Sequence, residues 1–188
     1  MKKFKKTIWL IPLLAIMLSG MQCSKNKEVL KTELEKLPPI TQTGAKTFGC
    51  LVNGVAYIPD NGCTILCPPA FKPKYDNSNG GLLTITSILT TNGNDKSINI
   101  GIDSCITIGK YFFETNNINK RLGFNNYKNS TNCITSFNLD FGTLIEGYLE
   151  ITKFDLSNNI ISGVFEFTLS KPSCETIKIT NGRFDAKL

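Results

Sequence analysis

The chain has 188 residues, 41% hydrophobic and 19% charged, a length and balance that fit one domain with a full core. Its formal charge of +6 overstates its basicity, because Lys2, Lys3, Lys5 and Lys6 hold four of 21 basic residues and the rest nearly balance 15 acids, leaving no basic stripe for nucleic acid. Histidine is absent, which removes the commonest general base, the Ser/His and Cys/His nucleophile pairs and the usual zinc ligands.

The four lysines precede an apolar run from Ile8 to Leu18, and Ser19, Gly20, Met21 and Gln22 lead to Cys23. That order is the pattern of a secretory signal whose first mature residue is a lipid-carrying cysteine. The run falls short of the roughly 20 residues a membrane helix needs, and it contains Pro12. Residues 1–22 are therefore expected to be a lipoprotein signal peptide, with Cys23 the lipid attachment. Met21 and Gln22 depart from the small residue usual before such a cysteine, so the alternative is cleavage elsewhere and a soluble product.

Residues 23–47 read as the lipidated cysteine and a tether, either frayed throughout or with a short helix that Asn26 would cap and that would set Leu30, Leu34 and Leu37 on one face before Pro38 stops it. The folded domain is expected over 48–188. Cys50-Leu51-Val52 and Val55-Ala56-Tyr57-Ile58 flank Asn53-Gly54, the dipeptide of a tight hairpin. Cys63 to Gly81, rich in proline and small polar residues, reads as a long loop pinned by two cysteines.

Period-two alternation follows. Leu83 and Ile85, then Ile98, Ile100 and Ile102, form apolar faces on either side of the turn Asn92-Gly93-Asn94-Asp95. Cys105 to Ile108, Tyr111 to Phe113, Leu122 to Phe124 and Cys133 to Thr135 are shorter strand candidates. At the carboxyl end Leu149 and Ile151 share a face, and Phe165, Phe167 and Leu169 point opposite to Val164, Glu166 and Thr168. Asn181-Gly182 then makes either a two-residue hairpin or a bulge in one strand, and both place Ile179 and Phe184 on the apolar side. Eight to ten antiparallel strands imply an all-β fold, a β-sandwich, with a small up-and-down barrel as the alternative.

With Cys23 assigned to lipid, six of seven cysteines remain: Cys50, Cys63, Cys67, Cys105, Cys133 and Cys174. An exported chain with an even number is expected to form disulfides. Cys105 with Cys133, Cys50 with Cys174, and Cys63 with Cys67 is the expected scheme. The C-x3-C spacing of Cys63 and Cys67, without histidine, does not suit zinc, and no metal or cofactor is expected.

Without histidine, a two-carboxylate glycosidase is the hydrolase class left open, with Asp140, Glu146, Glu150, Asp155 and Glu166 as its acids. Acids on alternating strand positions read instead as the solvent face of a sheet, so no catalytic residue is assigned. The aromatic platforms of a glycan site would come from Tyr57, Tyr75, Tyr111, Tyr127 or Tyr148, of which Tyr75 and Tyr127 lie in expected loops. Asp76 to Gly81 and Asn92 to Asp95 are oxygen-rich but have the chemistry of turns rather than the acidic spacing of a calcium loop.

Several phrases carry a resemblance: Phe48-Gly49-Cys50-Leu51-Val52-Asn53-Gly54-Val55-Ala56-Tyr57-Ile58-Pro59, Gly147 to Asp155, Ile161 to Phe167 and Ile177 to Asp185. In these the chain resembles small uncharacterised lipoproteins of Bacteroidota. The resemblance implies a lipoprotein of the cell outer membrane, on its periplasmic face or at the cell surface, with no established activity and no catalytic residues to transfer. The expected function is a non-catalytic binding or structural module held to the membrane by lipid, with a protein or glycan ligand at its loop ends. A small-ligand carrier built as a barrel is the alternative, and the glycosidase the third reading.

Overall fold

The structure, a computed structural model, describes residues 32–105, 107–115, 120–126 and 144–188. Among these described residues ten strands follow in chain order: β1 (Thr47–Val52), β2 (Val55–Tyr57), β3 (Phe71–Asp76), β4 (Leu82–Thr91), β5 (Asn94–Asp103), β6 (Gly109–Glu114), β7 (Lys120–Asn126), β8 (Leu144–Asp155), β9 (Ile160–Ser170) and β10 (Ile177–Lys187). They form two antiparallel sheets, one ordered β2-β1-β10-β9-β8-β6 and the other β3-β4-β5-β7. Neither sheet closes on itself, so the fold is the β-sandwich and not the barrel.

Two turns set the register. Asn53-Gly54 and Asn92-Gly93 have positive φ at both central residues, which matches the twist of the flanking strands, so Val52 pairs with Val55 and Thr91 with Asn94. From these turns the alternation runs as expected. Leu83, Ile85, Ile98, Ile100 and Ile102 from the smaller sheet meet Leu149, Ile151, Phe165, Phe167 and Leu169 from the larger, all of them buried. Rings bridge the layers: Phe48 of β1 meets Phe71 of β3 at 5.4 Å, and Tyr75 of β3 meets Phe154 of β8 edge-on at 5.4 Å.

The Asn181-Gly182 dipeptide makes a bulge within one continuous β10, not a hairpin. Asn181 takes φ 52°, and the pairing with β9 shifts between Ile179 and Gly182 while both Ile179 and Phe184 stay buried. A Cβ on Gly182 would lie 2.4 Å from the Phe165 ring, so glycine is what lets that ring lie across β10.

Three expectations need correction. The loop over Cys63 to Gly81 contains β3, hidden from pattern reading by Pro73, which is tolerated because β3 is an edge strand. Cys105 does not open a strand: Ser104 turns the chain at φ 61° and β6 begins at Gly109. The part of the expected tether within the described residues is laid against the larger sheet. Leu37 is buried, Pro38 covers Gly49 so closely that a Cβ there would lie 2.6 Å from the proline ring, and the Arg183 guanidinium donates to the Pro38 carbonyl. The Cys133 strand candidate lies outside the described residues.

This strap ends on Asp185. Strand alternation aims that side chain away from the core, yet it is only 1% exposed, because the strap covers it. It accepts hydrogen bonds from the Thr41 hydroxyl (2.7 Å), the backbone N–H groups of Thr43 (2.9 Å), Gly44 (2.8 Å) and Ala45 (3.1 Å), and the Ser162 hydroxyl (2.7 Å). Burial alone would raise the carboxyl's pKa. The hydroxyls of Thr41 and Ser162 and the N–H groups of Ala45 and Thr43 outweigh it and hold the group well below the usual carboxylate range.

Candidate functional site

At the opposite end of the sandwich a cleft of about 220 Å³ opens between the β1–β2 turn, the β4–β5 hairpin and the loop that joins β9 to β10. Val52, Val55, Leu89, Phe124 and Ile177 make its walls apolar. Lys96, directly across from Leu89 on the hairpin, brings a cation, and Glu175 in the β9–β10 loop brings an anion.

Tyr57 lies against this cleft and is itself buried. Its hydroxyl donates to the Lys96 carbonyl at 3.3 Å and accepts from the Ser87 hydroxyl, also at 3.3 Å. Burial pushes its pKa up despite the bond from Ser87, so the phenol keeps its proton and works as a structural tie between the sheets. Asn53 holds the rim. Its side-chain amide donates to Glu175 at 2.8 Å and to the Thr176 carbonyl at 3.2 Å, and its side-chain oxygen accepts from Lys178 N–H at 2.7 Å. One asparagine thus makes the hairpin turn and fixes the loop that carries the acid. Across the cleft, Asn94 donates to Asn126 at 3.1 Å, while its own buried Oδ1 has no partner among the described residues.

The cysteines divide differently from the expected scheme. Cys63 and Cys67 are bridged as expected, with Cα atoms 5.8 Å apart. Cys50 and Cys105 are free thiols with no exposed surface, which contradicts the pairs Cys50–Cys174 and Cys105–Cys133. The reason is strand alternation: Cys50 points into the core opposite Tyr57, whereas Cys174 sits in the turn after β9. Cys105 is drawn inward after Ser104, its N–H bonded to the Gly81 carbonyl at 3.0 Å. Burial raises the pKa of both thiols, that of Cys105 to about 11 even with a bond from Tyr111, so neither supplies a thiolate near neutral pH. Cys174 is disulfide-bonded, to none of the other described cysteines. Cys23 and Cys133 lie outside the described residues.

The tyrosines do not assemble a platform. Tyr75 is on β3 and meets Phe154 edge-on at 5.4 Å, Tyr111 donates to the Thr107 carbonyl at 2.9 Å, and the Lys110 ammonium sits 4.1 Å above the Tyr148 ring. Tyr127 lies outside the described residues. Of the acids, Glu146, Glu150 and Glu166 lie on outward positions of the larger sheet, in register with Glu114, Lys110 and Tyr148 respectively, while Asp155 accepts from Asn158 in the β8–β9 turn. Asp140 lies outside the described residues. The carboxylates of the oxygen-rich turns are taken up locally: Asp76 accepts from the N–H and hydroxyl of Ser78, and Asp95 from the Thr90 hydroxyl.

Sequence reading missed the cleft because its polar groups are spread over Asn53, Lys96 and Glu175, which only the sheet pairing brings to one end. The one early signal was Asn53-Gly54, read as a turn alone. The chain matches no protein-family model, and neither a curated protein nor a solved structure matches it significantly.

Proposed function

We propose that the protein is a cell-envelope lipoprotein, anchored at an outer membrane through Cys23, whose β-sandwich is a non-catalytic binding module with its ligand seat in the end cleft. The observation that carries the binding reading is the cleft itself: apolar walls with one lysine, one glutamate and the amides of Asn53 and Asn126 in the lining. A mostly apolar pocket with a few convergent polar groups is the usual form of a ligand site. Its two titratable groups with solvent access are Lys96 and Glu175, and the phenol beside them is committed to holding Lys96 and Ser87. That composition suits recognition of a protein or glycan segment. The ring stack from Phe48 through Phe165 to Phe167 fills the middle of the sandwich, which favours a surface seat over an internal carrier cavity.

The anchor half of the proposal rests on the run from Lys2 to Cys23 and on the likeness to small Bacteroidota lipoproteins. Mass spectrometry of the native amino terminus tests it, and an acylated Cys23 is the expected result. The seat is tested by probing glycan and peptide arrays with the full chain and then with Val55→Asp and Lys96→Ala. Each variant should keep the parent melting temperature and lose binding about tenfold or more. Variants that bind as the parent does would remove the cleft from consideration.

A further inference from the structure

We infer that the Cys63–Cys67 loop is a second membrane contact, whose Ile65 and Leu66 side chains insert into the apolar boundary of the bilayer to which Cys23 ties the chain. This deepens the lipoprotein reading and rests on its anchor.

The first observation is exposure against the normal tendency of aliphatic groups. Leu66 is 100% exposed and Ile65 79% exposed, a neighbouring pair with no cover. The loop presents them rigidly. The bridge closes it, and Leu66 is held at φ 53°, a region that leucine rarely enters. Asn61 donates to the Pro68 carbonyl, and Asp60 and Asn61 accept from the N–H groups of Gly62 and Cys63. The base is sewn to β4, with Asp60 N–H on the Ile88 carbonyl and Thr90 N–H on the Asp60 carbonyl. Two apolar side chains fixed outward in this way lose little conformational freedom on entering an apolar phase.

The second observation is the charge pattern. From Asn61 through Phe71 the chain carries no ionisable side chain other than its cysteines, and exposed Lys72 and Lys74 follow on β3. A neutral apolar tip with lysines behind it is complementary to an acyl boundary beneath anionic headgroups.

The third observation selects a bilayer over a soluble partner. The Glu33 carboxylate accepts from Ala56 N–H at 2.9 Å, which puts Glu33, ten positions after Cys23, at the β2 edge. Ile58, 40% exposed, follows two residues after Ala56 and leads into the loop. The ten residues from Cys23 to Glu33 reach no further than about 35 Å when fully extended. Anchor and tip therefore spring from the same edge, and the lipid brings the bilayer to the tip.

The test uses the full chain reconstituted into vesicles of phosphatidylethanolamine and phosphatidylglycerol, in a Trp9→Phe background, with Leu66→Trp or Ile65→Trp as reporter and Leu156→Trp at the far end as control. The acylation of Cys23 is read separately by mass spectrometry of the same sample. Blue-shifted emission of the Leu66→Trp reporter, quenched at least about twofold by acyl-brominated lipid while the control is unaffected, supports the inference. An acylated chain whose two tip reporters emit as in water overturns the tip and leaves the anchor standing. A chain without acyl groups overturns the anchor, and quenching at the tip in that sample supports membrane insertion without it. Reporters shielded from acrylamide but not quenched by lipid, with a doubled mass in light scattering, assign the tip to a second copy and overturn the inference. Ile65→Ser combined with Leu66→Ser should weaken vesicle binding of any unacylated fraction about tenfold.

Discussion

The two ends of the sandwich are built on opposite plans. At the closed end a buried carboxylate gathers donors from residues 41–45 and from Ser162, and the strap seals the sheet over it. At the open end apolar side chains stand in solvent, Val55 and Leu66 among them, beside a cleft whose lysine lies on β5 and whose glutamate lies in the β9–β10 loop. The difference teaches where stability resides: a polar group fully satisfied under cover on one side, apolar groups left in solvent on the other. Mutations at the closed end should be felt by the whole fold, and those of the exposed apolar side chains at the open end should leave stability nearly unchanged.

The sharpest way to break that contrast is Asp185→Ala, which strips the shared acceptor from several donors. It should lower unfolding free energy by about 3–5 kcal/mol in a denaturant titration. A pH series adds a signed test. The native carboxyl is held below its ordinary pKa, so its stabilisation is fully present above about 4 and is lost as the pH falls from there through the depressed native value. The parent should thus lose stability between pH 5 and acid faster than Asp185→Ala does, and parallel curves would remove Asp185 as the clasp.

Next in size is Gly182→Ala, whose methyl would collide with the Phe165 ring and carbonyl; it should cost about 2–3 kcal/mol by the same titration. Tyr57→Phe removes the tie from the open end to Lys96 and Ser87 and should cost about 1 kcal/mol, enough to show that the cleft floor, unlike its walls, is structural. Leu66→Ala should change stability by less than about 0.5 kcal/mol. A large effect there would mean that the tip is part of the core and would erase the contrast between the ends.

The sheet architecture was legible wherever one physical signal acted alone. Alternation placed Ile98, Ile100, Ile102, Phe165 and Phe167 inward, and Asn-Gly dipeptides placed two hairpin turns. Legibility failed where tertiary structure overrode a local signal. Pro73 disguised β3 because a proline argues against a strand until one knows that the strand lies at an edge. Asp185 occupies an outward position and reads as a solvent residue, since nothing in its own strand announces that a segment from the far end of the chain will cover it. The cysteines show the same limit. Cys63 and Cys67 are close in sequence and found each other, but counting thiols could not reveal that Cys50 faces the core opposite Tyr57 and that Cys105 turns inward after Ser104.

The covering of Asp185 also sets an order of events. Thr41 lies 144 positions ahead of its acceptor, and β1 has β10 as one of its two neighbours, so the early part of the chain lacks its docking surface until the final strand is delivered. Contacts between such distant segments slow folding. On a chain made amino-end first, residues 41–45 therefore have no acceptor to close upon until Asp185 itself has emerged.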